Sequence, residues 1–305
     1  MIKLVLLLGI VVAVMLARRM LFPRLPKPQP PPPVLALPKS VRAPTAADIA
    51  QRTAPLIALG LRGTISPMPA ALTDSRIGGP LIWPAGQTPP TDKSGAPLVL
   101  LAQIDLARLP APLDLPRAGI LQMLIAPFDG WGCAFPSAQG NGFVLALHPP
   151  GTDFAAPIPP AEGAGPFRRR GPSGKTHAKD GAAITWVLVN CPPTPADYRL
   201  ADLAHAGQRP SQAEEEEIDI LYSDLSLQRG TYDIMLRGNP DFTQNDVRED
   251  PRFAGMINLM AFSSSGGAFM WGDAGEACVL IPPADLGANL AAPDLSRAVY
   301  YWDCC

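Results

Sequence analysis

The residues best placed for chemistry are Asp273 and Glu276, set in the turn Trp271-Gly272-Asp273-Ala274-Gly275-Glu276 between two apolar runs. Two carboxylates this close can act as acid and base if a cleft encloses them and drives their pKa values apart, and Asp105 is a further partner for Asp273. The same turn is explained without catalysis. Flanking glycines permit positive φ, an Asp side chain readily accepts from turn amides, and Trp271 packs as a wedge at a sheet end. On that structural reading, Asp273 caps amides of its own loop.

Other chemistry-bearing patterns fall short of their motifs. In "GPSGKTHAKDG" the first glycine of G-x-x-x-x-G-K-[ST] is replaced by Arg169, so the stretch reads as a mobile basic loop built on Arg168, Arg169, Arg170, Lys175 and Lys179. Such a loop suits an anionic lipid surface. His148, His177 and His205 are dispersed without metal-ligand spacing, so no metal and no cofactor are expected. "NPDFTQNDVREDP" gathers Asp241, Asn245, Asp246, Glu249 and Asp250 but misses the calcium-loop pattern; capping and turns explain it. Gly-x-Ser-x-Gly is absent.

The elements that must position these residues are mostly strands. "PLVLLAQIDL", "AGILQMLIA", "GFVLALH", "AITWVLVN", "GMINLMAF" and "EACVLIP" are short apolar runs bounded by Gly, Pro or Asp. Thr45 and Asp48 make a capping box for a short helix that Pro55 breaks near Thr53, and Ser211 with Glu214 repeats the device. The fold expected is α+β, with mixed or antiparallel sheets and short helices. Two halves echo each other, each with a Gly-x-Pro turn before a buried strand and a glycine-led strand after it, so an internal duplication is expected. The Pro/Gly-rich region 148–181 reads as a loop excursion between them.

Composition and the N-terminus set the frame. With 47% hydrophobic and 17% charged residues the chain can build a core, and a formal charge of −2 gives no reason to expect a nucleic-acid partner. Five cysteines, an odd number with no C-x-x-C, suit a reducing compartment. Leu4 to Ala17 carries no charge; it spans about 21 Å as a helix, short of the roughly 30 Å hydrocarbon layer unless its flanks snorkel. The expectation is an N-terminal transmembrane helix over residues 1–22 acting as an uncleaved anchor, the membrane being a partner through this segment. Arg18, Arg19, Arg24 and Lys27 after it imply a single pass through the inner (cytoplasmic) membrane with the C-terminal domain cytoplasmic. A cleaved signal and a periplasmic product is the alternative. Residues 23–44 are a proline-rich linker, extended as polyproline II, and 45–305 form the remaining domain.

The motifs "SRIGGPLIWP", "LLAQIDLARLP", "LPRAGILQMLI", "GNPDFTQNDVR", "MWGDAGEACVLIPPADL" and "YYWDCC" together resemble the YwqG family of bacterial proteins, a domain of unknown function. The resemblance spans Ser75 to Cys305 and implies an α+β fold with a duplicated sheet core and no established activity. Where such proteins often have Gln and acidic residues before Trp-Gly-Asp, this chain has Met260 and "SSS". The expected function is therefore a membrane-tethered binding or regulatory module with a possible protein partner, not an enzyme. Gln103, Asp105, Gln244, Trp271 and Asp273 are its expected ligand contacts. A hydrolase-like enzyme using Asp273 and Glu276 is the alternative.

Overall fold

The structure, a computed structural model, describes residues 45–304 except 67, 69, 111–112, 129, 134–135, 169–176, 201–211, 213–215, 217–219, 222, 225–226, 228 and 287–292. Helix α1 (Ala46–Thr53) starts on the expected capping box: the Asp48 amide donates to Thr45 Oγ1, and the Thr45 amide donates to Asp48 Oδ2 at 2.9 Å. Pro55 then turns the chain into a three-residue 3-10 helix before the first strand.

The strands are β1 (Ala58–Ile65), β2 (Arg76–Ile77), β3 (Val99–Asp105), β4 (Ile120–Ile125), β5 (Ser137–Ala138), β6 (Phe143–His148), β7 (Ala182–Cys191), β8 (Ile234–Arg237), β9 (Ile257–Ser263), β10 (Glu276–Ile281) and β11 (Val299–Asp303). They form one 11-stranded sheet in the order β5-β11-β10-β9-β8-β1-β7-β2-β3-β4-β6. Each pairing is antiparallel. The two strands at the ends of this order, β5 and β6, are consecutive in sequence. They are stitched by the Gln139 side chain, which both donates to the Leu145 carbonyl and accepts from its amide, each at 2.9 Å. Short turn and double bond together bring the sheet close to a barrel.

β3, β4, β9 and β10 are buried along nearly their whole length because both faces are covered. Leu61, Ile77, Leu101, Met123, Phe143, Leu236, Phe262, Trp271 and Tyr300 fill the interior. Outside, Leu81, Leu98, Leu100 and Leu124 cover one half, and Cys191, Tyr232, Met235, Phe242, Cys278 and Leu280 the other. Two-sided burial is why these strands read as unbroken apolar runs. Each fully buried aliphatic side chain stabilises the fold by about 1.5–3 kcal/mol.

Two fold expectations are corrected. Of the mixed or antiparallel sheets expected, the antiparallel form is the one found, but the two similar sheets of a duplicated core are replaced, among the described residues, by a single sheet, because β1 pairs with β8 on one side and β7 on the other and so joins both halves. Nor is the N-terminal transmembrane helix upheld. Among the described residues no helix is long and apolar enough to cross a membrane; α1, at eight residues, spans about 12 Å against roughly 30 Å. Residues 1–22, on which the anchor was expected, and the linker 23–44 lie outside the described residues. The membrane partner, the membrane tether and the single-pass inner-membrane placement lose their support with it.

The excursion is bonded into the fold. Leu81 and Ile158 exchange backbone hydrogen bonds at 2.8 Å. Arg168, expected in a mobile basic loop, donates to the Phe269 and Ser264 carbonyls at 3.0 and 2.8 Å; 169–176 lie outside the described residues, as do Ser211 and Glu214.

Candidate functional site

At one mouth of the barrel the start of β1, the end of β8 and the start of β9 come together, since Gly60 pairs with Arg237 and Leu236 with Met260. Gly238, in the left-handed region at φ 69°, lets the turn after β8 press on β1; a Cβ there would strike Cys191 Sγ. A cavity of about 370 Å³ opens at this point, within the range of small-molecule sites. Its apolar lining includes Leu56, Ile57, Leu59, Leu113 and Ile257, and its polar lining Asp114, Arg199, Arg237, Asn239, Arg248 and Asn258.

Most of that polarity is already matched. Asn239 Nδ2 donates to the Leu56 and Cys191 carbonyls at 2.7 and 2.9 Å, and its Oδ1 accepts from Arg199 Nη2 at 2.8 Å. Arg199 pairs with Asp197 at 2.5 Å, and Arg248 with Asp246 at 2.6 Å and Asp197 at 3.4 Å. Burial pushes the Asp197 carboxyl up, but the hydrogen bonds and charges of Arg199 and Arg248 outweigh it and hold it below its usual range.

Arg237 is different. It is half-buried, its backbone is left-handed at φ 57°, and Nη1 donates to the Asn258 carbonyl at 2.9 Å. No carboxylate among the described residues stands within ion-pair distance of it. Burial draws its guanidinium below the ordinary value, against the opposing pull of Asp114. Asn258 closes the clamp, Nδ2 donating to the Arg237 carbonyl at 2.6 Å, which leaves its buried Oδ1 without a partner among the described residues. A left-handed non-glycine residue costs on the order of 1–3 kcal/mol and gathers at functional sites.

Glu276 lies in the outer layer. Tyr232 donates to its Oε2 at 3.1 Å and Ser263 to its Oε1 at 2.6 Å. Burial, then the charge of Asp241, pushes its carboxyl up to about 8, against the opposing effects of Ser263, Arg229 and Tyr232. Asp273 faces solvent and has no hydrogen-bond partner among the described residues. The two therefore form no acid–base pair in one cleft, which overturns the hydrolase alternative. Asp273 does not cap its own loop either. Ser264 does: its hydroxyl donates to the Gly275 carbonyl at 2.7 Å and accepts from the Trp271 amide at 3.0 Å.

The other expected contacts are spread over the sheet. Gln103, fully buried in β3, donates to the Leu72 and Asp74 carbonyls and accepts from Gln122, whose Oε1 faces His148 Nε2 at 2.9 Å. Asp105 caps the 3-10 helix after β3. Gln244 donates to the Cys304 carbonyl, and Cys304 in turn borders Gly272 and Gly275 in the loop of Asp273. Trp271 is a core residue, edge-on to Trp131 at 5.6 Å. None of these lines the mouth cavity. Reasoning from sequence missed Arg237 and Asn258; the available signal was an arginine between a buried strand and the Gly-Asn-Pro turn. The capping expected of Asp246 is present, its Oδ1 accepting from the Arg248 amide at 2.9 Å.

Among the described residues no group of three or more His, Cys, Asp or Glu side chains could hold a metal ion. No curated protein matches the chain. Residues 75–304 match the family described as Domain of unknown function (DUF1963), in keeping with the YwqG-like motifs, and the chain belongs to that family.

Proposed function

We propose that this domain binds a small ligand with a carboxylate on an apolar body, held at the barrel mouth by Arg237. The observation that carries the reading is the Arg237 guanidinium itself. It is partly desolvated, and among the described residues it makes a single hydrogen bond, to a carbonyl, and stands on a cavity wall with no carboxylate in ion-pair distance. A guanidinium has five N–H donors in a planar fork that matches a carboxylate. The apolar half of the lining, Ile57, Leu59 and Leu113 among it, suits the ligand's body. The described lining contains no His, Cys, Ser or Lys, which favours binding over chemistry.

N-acetylleucine carries both features, a carboxylate and an apolar body, and serves as the probe, with N-acetylleucinamide and inorganic phosphate as contrasts. N-acetylleucine raises the melting temperature of the wild-type chain in a saturable way, through preferential binding to the folded state. Arg237→Gly removes the guanidinium and relieves the left-handed backbone. The variant stays within about 1 kcal/mol of wild-type stability and loses the response. An equal response in the variant, or an equal response to the amide, contradicts the proposal.

A further inference from the structure

β7 has an open edge. Gly238 N donates to the Leu59 carbonyl, so the odd-numbered residues of β1 bond β8, and Gly60, Arg62 and Thr64 bond Val189, Val187 and Thr185 of β7. Ile184, Trp186, Leu188 and Asn190 therefore aim their amides and carbonyls the other way. Ile184 N finds the Ser75 carbonyl at 3.2 Å. β2 pairs with β7 only at Ala182 and Ala183, and Trp186, Leu188 and Asn190 have no backbone partner on that side among the described residues. Beside this edge Val187 and Leu188 are 47% and 43% exposed, on opposite faces of the sheet. The strand has no Lys, Pro or other device that keeps natural edges from pairing.

We propose that β7 pairs with β7 of a second copy of this chain across a two-fold axis at Leu188. A two-fold axis sets a strand antiparallel to itself. With the axis at Leu188, that residue faces its own copy, and Trp186 faces Asn190 of the second copy. Each residue with unpaired groups thus meets another with unpaired groups, at the spacing of a hydrogen-bonded antiparallel pair. Val187 falls opposite Val189. No charged residue occurs from Ala182 to Cys191, so self-pairing sets no like charges against each other. An unrelated extended peptide is the rival occupant; the second copy is favoured because its uncharged strand presents the same unpaired groups and sets no like charges across the axis.

Sedimentation of the full-length chain over a concentration series tests it. The wild type is a reversible dimer. Leu188→Lys and Leu188→Glu, each placing like charges across the axis, raise the dissociation constant by roughly tenfold or more, and an equal mixture of the two recovers the dimer. Both substitutions fall on an exposed side chain, and Leu188→Cys supplies a second readout. Under mild oxidation it gives a disulfide-linked dimer, since paired Cα atoms about 5.5 Å apart can be bridged, whereas Val187→Cys, out of register with its own copy, does not. A wild type that is monomeric throughout overturns the proposal. So does a dimer untouched by both charge variants, or equal cross-linking from both cysteines.

Discussion

Glu276 shows what a single residue's surroundings do to its chemistry. Its folded-state value, pushed up to about 8, exceeds the ordinary 4.5, so the folded state holds a proton that the unfolded state has released. That contribution is fully present below 4.5 and is lost as pH rises through about 8, at up to about 1.4 kcal/mol per pH unit. Thermal melts across this window should show stability falling with pH, and Glu276→Gln should flatten the profile while keeping partners for Tyr232 and Ser263. A profile equally steep in the variant would place the proton elsewhere. In the neighbouring loop Asp273→Ala should change stability by less than about 0.5 kcal/mol, whereas Ser264→Ala, which strips two backbone groups of their partner, should cost about 1–2 kcal/mol. Denaturant unfolding of both variants decides between them.

At the scale of elements, β3, β4 and β6 are tied by polar as well as apolar side chains. Gln122 donates to Gln103 Oε1 at 2.9 Å and to the Ile82 carbonyl at 3.1 Å, while its Oε1 meets His148. Burial draws the His148 imidazole below its ordinary value, so at neutral pH it serves this ladder as an uncharged ring. Gln122→Leu removes the central link and leaves buried groups on Gln103 and His148 unmatched. The expected cost is about 1–3 kcal/mol, read by chemical denaturation, well above that of an ordinary surface change. The turn after β8 is the counterpart in the other half. There, Gly60 and Gly238 meet without side chains, and Arg237 carries the backbone strain of that approach.

Across the whole molecule, what the chain shows locally was legible and what it assembles at long range was not. The helix at Ala46 could be read because its capping box is complete within four residues, and the strands because burial on both faces leaves unbroken apolar runs. Closure of the sheet could not, since it depends on Gln139 reaching Leu145 and on β1 joining two distant halves. The mouth site fails the same test: Arg237 and Asn258 meet only through strand pairing, and no motif links them. Asp273 misled because its flanking glycines suit an Asp cap, yet a serine on a neighbouring strand end supplies it. The most direct measurement of the mouth site is the side-chain Nε–H resonance of Arg237, assigned by comparison with Arg237→Gly and followed as N-acetylleucine is added. Binding at the mouth moves that signal to saturation, and the amide leaves it in place. An Arg237 signal that stays put under N-acetylleucine, or moves equally with the uncharged amide, contradicts a carboxylate site at the barrel mouth.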